Sequence, residues 1–310
     1  MGPAQVVVVG SLNVDLVARA PRLPVAGETI LGRGFSTAPG GKGANQAVAA
    51  ARLGARTAMV GCVGDDAFGA QLVAALDGDG VDRQAVRVVP GQPTGVALIV
   101  VDDEGRNGIV VASGANGLLG PDDLDRQEAL LGAASVVALQ LETPLATVER
   151  AAARARALGK TVVLNPAPAR PLPDALAASV DLLVPNELEA AALAGIPVDS
   201  VERAAEAGAR LRARGAGAVL VTLGERGVVL ADAACTRHFP AHRVAAVDST
   251  AAGDTFIGGL CAVLARGASL EAAIGFAQAA AAISVTRPGA QPSIPREAEV
   301  SAWMAARASA

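Results

Sequence analysis

The chain has 310 residues, of which 52% are apolar, and a formal net charge of −4. A chain of this length and apolar content can bury a sizeable core, as one large α/β domain or two smaller ones, so the composition excludes a disordered protein. It contains no run of basic residues, and nucleic acid as the main partner is therefore not expected, because such a surface needs clustered Lys and Arg.

The cysteines and histidines give no sign of a metal centre. Cys62, Cys235 and Cys261 are scattered without metal-ligand spacing. A sparse, odd number of cysteines is typical of a reducing compartment with inert thiols. His238 and His242 lie close together but belong to no Cys or His pattern, so we expect surface residues of a strand and a turn.

The N-terminal residues show no targeting signal. An apolar run at residues 5–9 follows no basic region and precedes no small-residue cleavage site. The longest apolar run, at residues 279–285, falls far short of the ~20 residues that a membrane helix needs. We therefore expect a cytoplasmic protein without a membrane partner.

The first predicted element is a buried strand at residues 6–9, a continuous run of valine. Such runs are typical of strands covered on both faces in parallel sheets. Apolar and polar residues then alternate over residues 12–17, which predicts a second strand with Asn13 and Asp15 on one face. Those two polar groups suit the binding of sugar hydroxyls, although an ordinary half-exposed strand would have the same pattern.

A glycine-rich turn at residues 39–43 follows a predicted strand region at 29–38 and precedes a helix at 44–53. The glycines allow backbone to approach a ligand closely. The turn is not a P-loop, because Lys42 precedes Gly43 instead of Ser or Thr. No dinucleotide-binding glycine pattern follows the first strand either.

The middle of the chain alternates strands with helices, which indicates a mostly parallel sheet wrapped by helices. The predicted strands lie near residues 57–63, 135–140, 161–165, 181–185 and 218–222. The predicted helices lie near residues 68–76, 122–131, 145–158, 187–194 and 201–214. Ligands in such sheets bind beyond the carboxyl ends of the strands, so the polar residues that close these strands should converge. These residues are 140–142, 165, 186–187 and 222–224.

A strand, a small-residue turn and a helix are predicted over residues 244–259. The first N–H groups of a helix have no intrahelical acceptor, and the helix dipole is positive there, so the turn can bind an anion. Asp254 lies inside this turn. A carboxylate there suits phosphoryl transfer, where a base faces the attacking hydroxyl, but it could also be an ordinary helix cap.

The segments GGKGAN at residues 40–45 and AAGD at 251–254 resemble the two signatures of the ribokinase-like (PfkB) family of sugar kinases. Further matches fall in the family's order over nearly the whole chain: NVD at 13–15, GDDAFG at 64–69, NPAPA at 165–169, PNE at 185–187 and TLG at 222–224. Residues 41–47 and 286–293 are most similar to the members that phosphorylate ribose.

The resemblance implies a single domain over residues 1–310, with a three-layer α/β/α architecture around a mostly parallel central sheet. A small β-sheet lid is implied by inserted segments near 12–38 and 94–112, the second of which is a predicted hairpin. The implied reaction is ATP-dependent phosphorylation of D-ribose at its 5-hydroxyl. A homodimer that pairs two lids is implied as well.

The family's pattern also implies a role for individual residues. Asp254 matches the catalytic base, and the backbone of Ala251, Ala252 and Gly253 matches the anion hole. The positions that match sugar contacts are Asn13, Asp15, Gly41, Lys42, Asn45, Glu142 and Asp254.

The nucleotide and metal positions follow from the same resemblance. The implied ATP site consists of Asn186, Thr222, Gly224, Gly227, Gly253, Gly275 and Gln278, where Gln278 replaces an expected histidine. Glu187 is implied to hold Mg²⁺ through water. A monovalent cation, K⁺, is implied at Asp248, Thr250, Ser284, Arg287, Gly289 and Ser293, with Arg287 holding the loop.

Other functions remain open from the sequence. The fold serves kinases of deoxyribose, other pentoses, keto-sugars and nucleosides. A nucleoside kinase needs an apolar wall for the base, and this chain has no Tyr, five Phe and one Trp, which weakens that option. A non-enzymatic sugar-binding regulator is disfavoured because Gly253 and Asp254 are both present.

Overall fold

The computed structural model describes residues 2–308, so residues 1, 309 and 310 of the expected single domain lie outside the described residues. The strands are β1 (Val6–Val9), β2 (Asn13–Arg19), β3 (Gly34–Gly40), β4 (Thr57–Gly64), β5 (Asp82–Val89), β6 (Gly95–Val101), β7 (Asn107–Ala112), β8 (Val136–Leu139), β9 (Thr161–Leu164), β10 (Leu182–Leu183), β11 (Ala218–Thr222), β12 (Val228–Ala231) and β13 (Thr236–Phe239). The helices are α1 (Lys42–Arg52), α2 (Ala67–Gly78), α3 (Pro121–Asp125), α4 (Glu128–Ala133), α5 (Leu145–Ala157), α6 (Asp174–Ala177), α7 (Glu187–Ala194), α8 (Val201–Ala213), α9 (Ala252–Leu264), α10 (Leu270–Ser284) and α11 (Glu297–Ala308).

A nine-stranded sheet in the order β13-β12-β11-β10-β9-β8-β1-β4-β5 forms the centre of the fold. The pairs from β11 through β1 to β5 are parallel, and β12 pairs antiparallel with both of its neighbours. Because parallel strands end at the same edge, the loops after β1, β8, β9 and β11 meet there. The prediction of a mostly parallel central sheet is confirmed.

Two hydrophobic clusters cover the two faces of this sheet. Side chains along a strand alternate between faces, so Val6 and Val8 pack with α1, α9 and α10, whereas Val7 and Val9 pack with α5 and α8. The unbroken valine run of β1 is therefore buried on both sides, as expected for a central parallel strand. The result is the predicted three-layer α/β/α arrangement.

A second sheet of four strands, in the order β3-β2-β6-β7, corresponds to the predicted lid. Strands β6 and β7 pair antiparallel as the expected hairpin, and β2 runs parallel to β6. The register aligns Asn13 with Gly40 and Asp15 with Ala38, so the sugar-site candidates of β2 lie beside the glycine-rich turn. The small sheet is thus continuous with the elements that form the candidate site.

Several boundaries differ from the sequence predictions. The strand predicted at 244–247 is wrong: the segment is irregular, Val247 is exposed, and the N–H groups of Val247 and Asp248 both donate to the carbonyl of Val285. Among the described residues 2–308, no strand pairs with this segment, so its short apolar run has no sheet to join. The helix predicted at 122–131 is divided into α3 and α4, and strand β3 begins only at Gly34.

Candidate active site

The glycine-rich turn presses the start of α1 against the end of β1. Gly41 has φ 87°, and a Cβ there would lie 2.7 Å from the backbone nitrogen of Asn13. A Cβ on Gly43 would lie 2.5 Å from the backbone nitrogen of Ser11. Only glycine fits both positions, and this close approach brings Lys42 and Asn45 of α1 to the loop after β1.

The start of α9 has an unusual backbone. Ala251 has φ 58° and ψ 13°, in the left-handed region that side-chain-bearing residues seldom adopt. Its carbonyl accepts from the N–H and the hydroxyl of Thr255 at 2.8 and 2.9 Å. Gly253 follows in the first turn of α9, and a Cβ on it would meet no heavy atom within 4 Å. The space beside Gly253 is therefore open, which leaves room for a ligand at the start of α9.

Asp254 is buried, and two amides of α1 bind its carboxylate. The Nδ2 of Asn45 donates to Oδ2 at 3.0 Å, and the Nε2 of Gln46 donates to Oδ1 at 3.0 Å. Burial raises the pKa of Asp254, while Lys42 and the two amide donors oppose that rise. A carboxylate of raised basicity at the start of a helix is suited to accept a proton from a hydroxyl.

Lys42 is the positive charge among four carboxylates. Burial lowers the pKa of Lys42, but the charges of Asp254, Glu142, Glu189 and Asp15 outweigh it and the pKa lies above its usual value. Four carboxylates facing one ammonium group leave an excess of negative charge. Such a site attracts a cation or a ligand that donates hydrogen bonds, such as a polyol.

Residues of the predicted sugar site surround this charge cluster. Glu142 accepts from the hydroxyl of Ser11 at 2.5 Å and from the backbone N–H of Lys42 at 3.1 Å. The Oδ1 of Asn13 accepts from the Nδ2 of Asn116 at 2.8 Å, which orients the amide of Asn13. These contacts fix polar groups from β2, α1 and the loop after β8 around one space.

Asp15 has the clearest electrostatic signature in the sugar site. Burial, followed by the charges of Glu142 and Asp254, raises its pKa from 3.8 to about 6, and Lys42 opposes the rise. A carboxyl that is partly protonated near neutral pH is a common property of binding and catalytic sites.

The expected phosphate side is organised by a capping box at the start of α7. The N–H and the Nδ2 of Asn186 donate to Glu189 at 2.9 and 3.0 Å, and the N–H of Glu189 donates back to Asn186 at 2.9 Å. Glu189 is buried, and that burial raises its pKa. Glu187, the residue expected to hold Mg²⁺ through water, forms an ion pair with Arg226, and its contact with Mg²⁺ stays a prediction.

The predicted nucleotide residues fall into two groups. Thr222 forms a parallel bridge with Asn186, and a Cβ on Gly224 or on Gly275 would meet open space, which leaves room for a ligand. Gly227 has a backbone role, because a Cβ on it would lie 2.1 Å from the carbonyl of Phe239. Gln278 is buried and donates to the carbonyls of Phe239 and Pro240 at 3.0 and 3.2 Å. Contact of these residues with a nucleotide stays a prediction.

Asp248 connects the loops of the predicted cation site. Its Oδ1 accepts from the N–H and the hydroxyl of Thr250 at 2.9 and 2.6 Å, and its Oδ2 accepts from the N–H of Gly289 at 2.8 Å. Ser284 and Ser293 are buried, and their hydroxyls donate to backbone carbonyls of their own segments. Arg287 donates to Glu299 on α11 at 2.7 Å, which ties its loop to that helix.

Within residues 2–308, no helix is both long and apolar enough to span a membrane, and no group of three or more His, Cys, Asp or Glu side chains could hold a metal ion. The histidine pair is also explained without a metal. The ring of His238 contacts the carbonyl of Arg226, and the ring of His242 packs edge-on against Trp303.

A family model described as pfkB family carbohydrate kinase matches residues 3–297. The chain belongs to the pfkB family of carbohydrate kinases. The ribokinase of Haemophilus influenzae is 44% identical to this pfkB-family chain over 292 residues, which cover 94% of the chain and 95% of the relative. The deoxyribokinase of Salmonella typhi is 40% identical over 291 residues, which cover 94% of the chain and 95% of the relative.

Solved structures agree with the family assignment. The structure of Arabidopsis thaliana ribokinase complexed with ribose and ATP has a TM-score of 0.90 to this chain at 36% identity, and the match covers 98% of this chain and 99% of that one. The predicted family and the predicted fold of this pfkB-family kinase are therefore confirmed.

Sequence reasoning missed several polar residues of the site in this pfkB-family kinase. Asn116 orients Asn13, and Glu189 is the buried acid of α7. The pattern of Asn186 followed three residues later by Glu189 is a capping-box signal that could have revealed the second. Gln46 and Gln291 resemble ordinary buried amides in the sequence, and no signal there distinguishes them.

Proposed function

We propose that this carbohydrate kinase transfers the γ-phosphoryl group of ATP to the 5-hydroxyl of D-ribose. The observation that carries the proposal is the position of Asp254. A buried carboxylate at the open start of α9 is hydrogen-bonded to Asn45 of α1, the helix that follows the glycine-rich turn. The acid and the expected sugar contacts therefore share one space, as a base and its hydroxyl must.

The sugar would lie between β2 and α1. Amide and carboxylate groups such as those of Asn13, Asp15 and Glu142 pair well with vicinal hydroxyls, because each can accept or donate in paired geometry. Lys42 donates without accepting, which limits how the hydroxyls can be oriented. This arrangement directs the terminal hydroxyl toward Asp254, which removes its proton as the new bond to phosphorus forms.

The transferred group would face the first turn of α9. Of the expected anion-hole residues Ala251, Ala252 and Gly253, Ala252 donates its N–H to the carbonyl of Ser249 at 3.2 Å, so we assign the donation chiefly to Gly253, with the N–H of Asp254 beside it. The first N–H groups of α9 have no intrahelical acceptor, and the helix dipole is positive at this end. Donors placed in this way stabilise the negative charge of a phosphoryl group during its transfer, typically by about 3–4 kcal/mol per donor. The left-handed backbone of Ala251 turns the chain so that α9 starts at this point.

Mg²⁺ fits the donor set on the phosphate side. The excess of carboxylates around Lys42 attracts a divalent cation, and Mg²⁺ characteristically keeps several waters and few protein ligands. We assign the water-mediated contact of Mg²⁺ to Glu189 and Asn186. The family resemblance implies Glu187 for the same contact. The ion would neutralise charge on the phosphates when bound.

Similarity to a deoxyribokinase makes 2-deoxyribose the second candidate substrate. The relative from Salmonella typhi is 40% identical, close to the 44% of the ribokinase from Haemophilus influenzae. The two sugars differ by one hydroxyl. A site that hydrogen-bonds that hydroxyl rejects the sugar lacking it, because its polar groups are left unpaired.

ADP release measured with ribose, 2-deoxyribose, fructose and adenosine tests the assignment. We expect the highest kcat/KM for ribose, with the phosphate on the 5-oxygen by NMR. Asp254→Asn should lower kcat by about 10²–10⁴ while sugar binding persists. Asp125→Asn, at a surface ion pair with Arg150, is the control and should leave both unchanged. A better substrate than ribose would refute the substrate, and a fully active Asp254→Asn would refute the mechanism.

Three further properties belong to the proposal. A monovalent cation such as K⁺ would order the loops that Asp248 connects. The hydrogen bonds of the Asp248 carboxylate outweigh its burial and lower its pKa, so the carboxylate stays ionised. Two lids would pair in a homodimer through exposed apolar residues such as Phe35 and Val110. A cytoplasmic location would supply ATP and keep the buried thiols of Cys62 and Cys261 reduced.

A further inference from the structure

Gln46 binds the carboxylate of Asp254 from the side of the core. It is fully buried, and its Nε2 donates to Oδ1 of Asp254 at 3.0 Å. Asn45, the neighbouring residue, occupies the other oxygen, so both oxygens of the carboxylate have an amide donor. A free carboxylate can rotate about its last bond, whereas one held at both oxygens has a fixed plane.

The amide of Gln46 is held in one orientation by residues that end two neighbouring strands. Gln140, after β8, donates from Nε2 to Oε1 of Gln46 at 2.6 Å. Asn165, after β9, accepts from Nε2 of Gln46 at 3.2 Å. A flipped amide would place oxygen against the oxygens of Asp254 and Asn165 and nitrogen against the donor of Gln140. Three contacts therefore oppose the flip.

Asn45 is oriented by a comparable contact. The Nε2 of Gln291 donates to Oδ1 of Asn45 at 3.2 Å, which leaves Nδ2 of Asn45 to face Asp254. Gln291 is itself buried, and its carbonyl accepts from Arg52. Each oxygen of Asp254 thus has an amide donor whose own oxygen is bound by a buried glutamine.

We propose that Gln46, oriented by Gln140 and Asn165, is a positioning residue that holds the ionised carboxylate of Asp254 in the plane from which it accepts the sugar proton. The inference rests on the proposed function for the identity of that proton. The holding of the carboxylate itself depends only on the contacts within the chain.

Electrostatics show why such support matters. Burial raises the pKa of Asp254, and the charge of Glu142 adds to the rise. Asp15 of β2 and Glu189 of α7 also face the charge cluster, and Lys42 of α1 opposes them. Without its amide donors, a buried carboxyl in this setting would be protonated at a higher pH, and less of the ionised base would be present near neutral pH. Gln46 supplies donation without adding charge.

The pH profile of kcat at saturating ribose tests the proposal, because saturation removes the effect of the Asp15 titration on sugar binding. Gln46→Leu should move the acidic limb upward by about one to two pH units, the shift expected from losing a hydrogen bond to a charged group. Gln140→Leu leaves the amide of Gln46 in place but frees it to flip. The acidic limb should therefore move in the same direction by a smaller amount. Thr147→Val, which removes a different buried hydrogen bond, is the control for destabilisation and should leave the limb unchanged.

A second measurement does not depend on activity. The difference in unfolding free energy between a protein and its Asp254→Asn variant, followed against pH, reports the titration of Asp254 in each Gln46 background. Gln46→Leu should raise that midpoint even if ribose proves not to be the substrate. If the midpoint and the limb stay in place while only stability falls, Gln46 is a core residue and the proposal is wrong. A shift in Gln46→Leu with none in Gln140→Leu would overturn the role of Gln140.

Discussion

Asn45 and Asp254 are 209 positions apart in the chain and are joined by a hydrogen bond of 3.0 Å. This contact joins the start of α1 to the start of α9. The two helices also pack closely against each other at Gly258. A Cβ on Gly258 of α9 would lie 2.3 Å from the Cβ of Ala49 of α1. The close packing of the two helices brings the acid to the turn, so the catalytic geometry depends on small residues well below the site.

Gly253→Ala separates folding from catalysis. A Cβ at this position meets open space and φ is not positive, so alanine should fold without strain and add up to about 1 kcal/mol of stability. The new methyl group would occupy the space in front of the anion hole. We expect kcat to fall at least tenfold while Tm rises or stays constant, measured by ADP release and thermal unfolding.

Gly275→Ala is the matched comparison for that variant. Its Cβ also meets open space, but it lies on α10 instead of in the first turn of α9. We expect its main effect on the KM for ATP, with kcat largely retained. Equal kcat for Gly253→Ala and the original protein would contradict the assignment of the anion hole.

The backbone parts of the site could be predicted from sequence because close approach requires a particular residue type. Gly41 and Gly43 have no room for a side chain, whereas a Cβ on Gly253 would meet open space, so the small residues before Asp254 are not required by crowding. The strand predicted at 244–247 failed because an apolar run of four residues does not show whether a partner strand exists.

The side-chain parts of the site were harder to predict, because an amide carries no local signal of its partner. Gln46 lies on the same helix as Asn45, and nothing in the sequence shows that its partners lie 94, 119 and 208 positions away. The choice between Glu187 and Glu189 as the magnesium residue depends on which face of α7 is buried. Helix α7 is short and apolar on all sides after Glu189, so its sequence does not indicate a buried face.

Asp15 should make sugar binding dependent on pH near neutrality. Its pKa is about 6, so it loses its negative charge as the pH falls through that value. We expect the KM for ribose to rise several-fold between pH 8 and pH 5 while kcat for saturated enzyme changes less. Asp15→Asn should have a high KM that no longer varies in this range. A wild-type KM that stays flat from pH 8 to pH 5 would contradict the role of Asp15.

The same shift predicts an effect on stability. The folded state binds the Asp15 proton more tightly than the unfolded state, where the pKa is 3.8, so the stability from protonation is present below about pH 4 and is lost as the pH rises through about 6. Asp15→Asn should therefore be more stable than the original protein at pH 8, by an amount on the order of 1 kcal/mol. Urea unfolding at pH 4 and pH 8 measures this, and an equal difference at both would refute it.

Glu189→Gln and Glu187→Gln form a matched pair for the magnesium assignment. Glu189 is buried and its charge faces Lys42 and Asp254, whereas about a third of the Glu187 side chain is exposed and pairs with Arg226. We expect Glu189→Gln to lower kcat about 10–100-fold and to raise the Mg²⁺ concentration required, the scale usual for partners around a metal. Glu187→Gln should change both by less than twofold. The reverse order would restore Glu187 as the magnesium residue.

Asp248→Asn tests the monovalent cation. The carboxylate charge should hold K⁺ near loops joined by Thr250 and Gly289, so the wild type should be several-fold more active in KCl than in N-methylglucamine chloride at equal ionic strength. The variant should lose that difference. The measurement is the ratio of kcat in the two salts, and an unchanged ratio in Asp248→Asn would remove the residue from the cation site.

The exposed face of the lid is where two chains should meet. Strand register places Phe35, Leu98 and Val110 on the face opposite Asp15, with exposed fractions of 70%, 48% and 65%. Contiguous apolar side chains on one sheet face are costly in water and are typical of a protein interface. Val110→Asp should therefore convert a dimer to a monomer, as measured by light scattering after gel filtration.

Val88→Asp on β5 provides the control for that experiment, because Val88 is also 52% exposed but lies in the central sheet, away from the lid. It should leave the mass unchanged. Strand β2 belongs to the lid and also carries Asn13 and Asp15. Loss of the dimer should therefore also weaken sugar binding. We expect a several-fold higher KM for ribose in Val110→Asp with kcat retained. A Val110→Asp protein that keeps the wild-type mass would show that the lid face is not the interface.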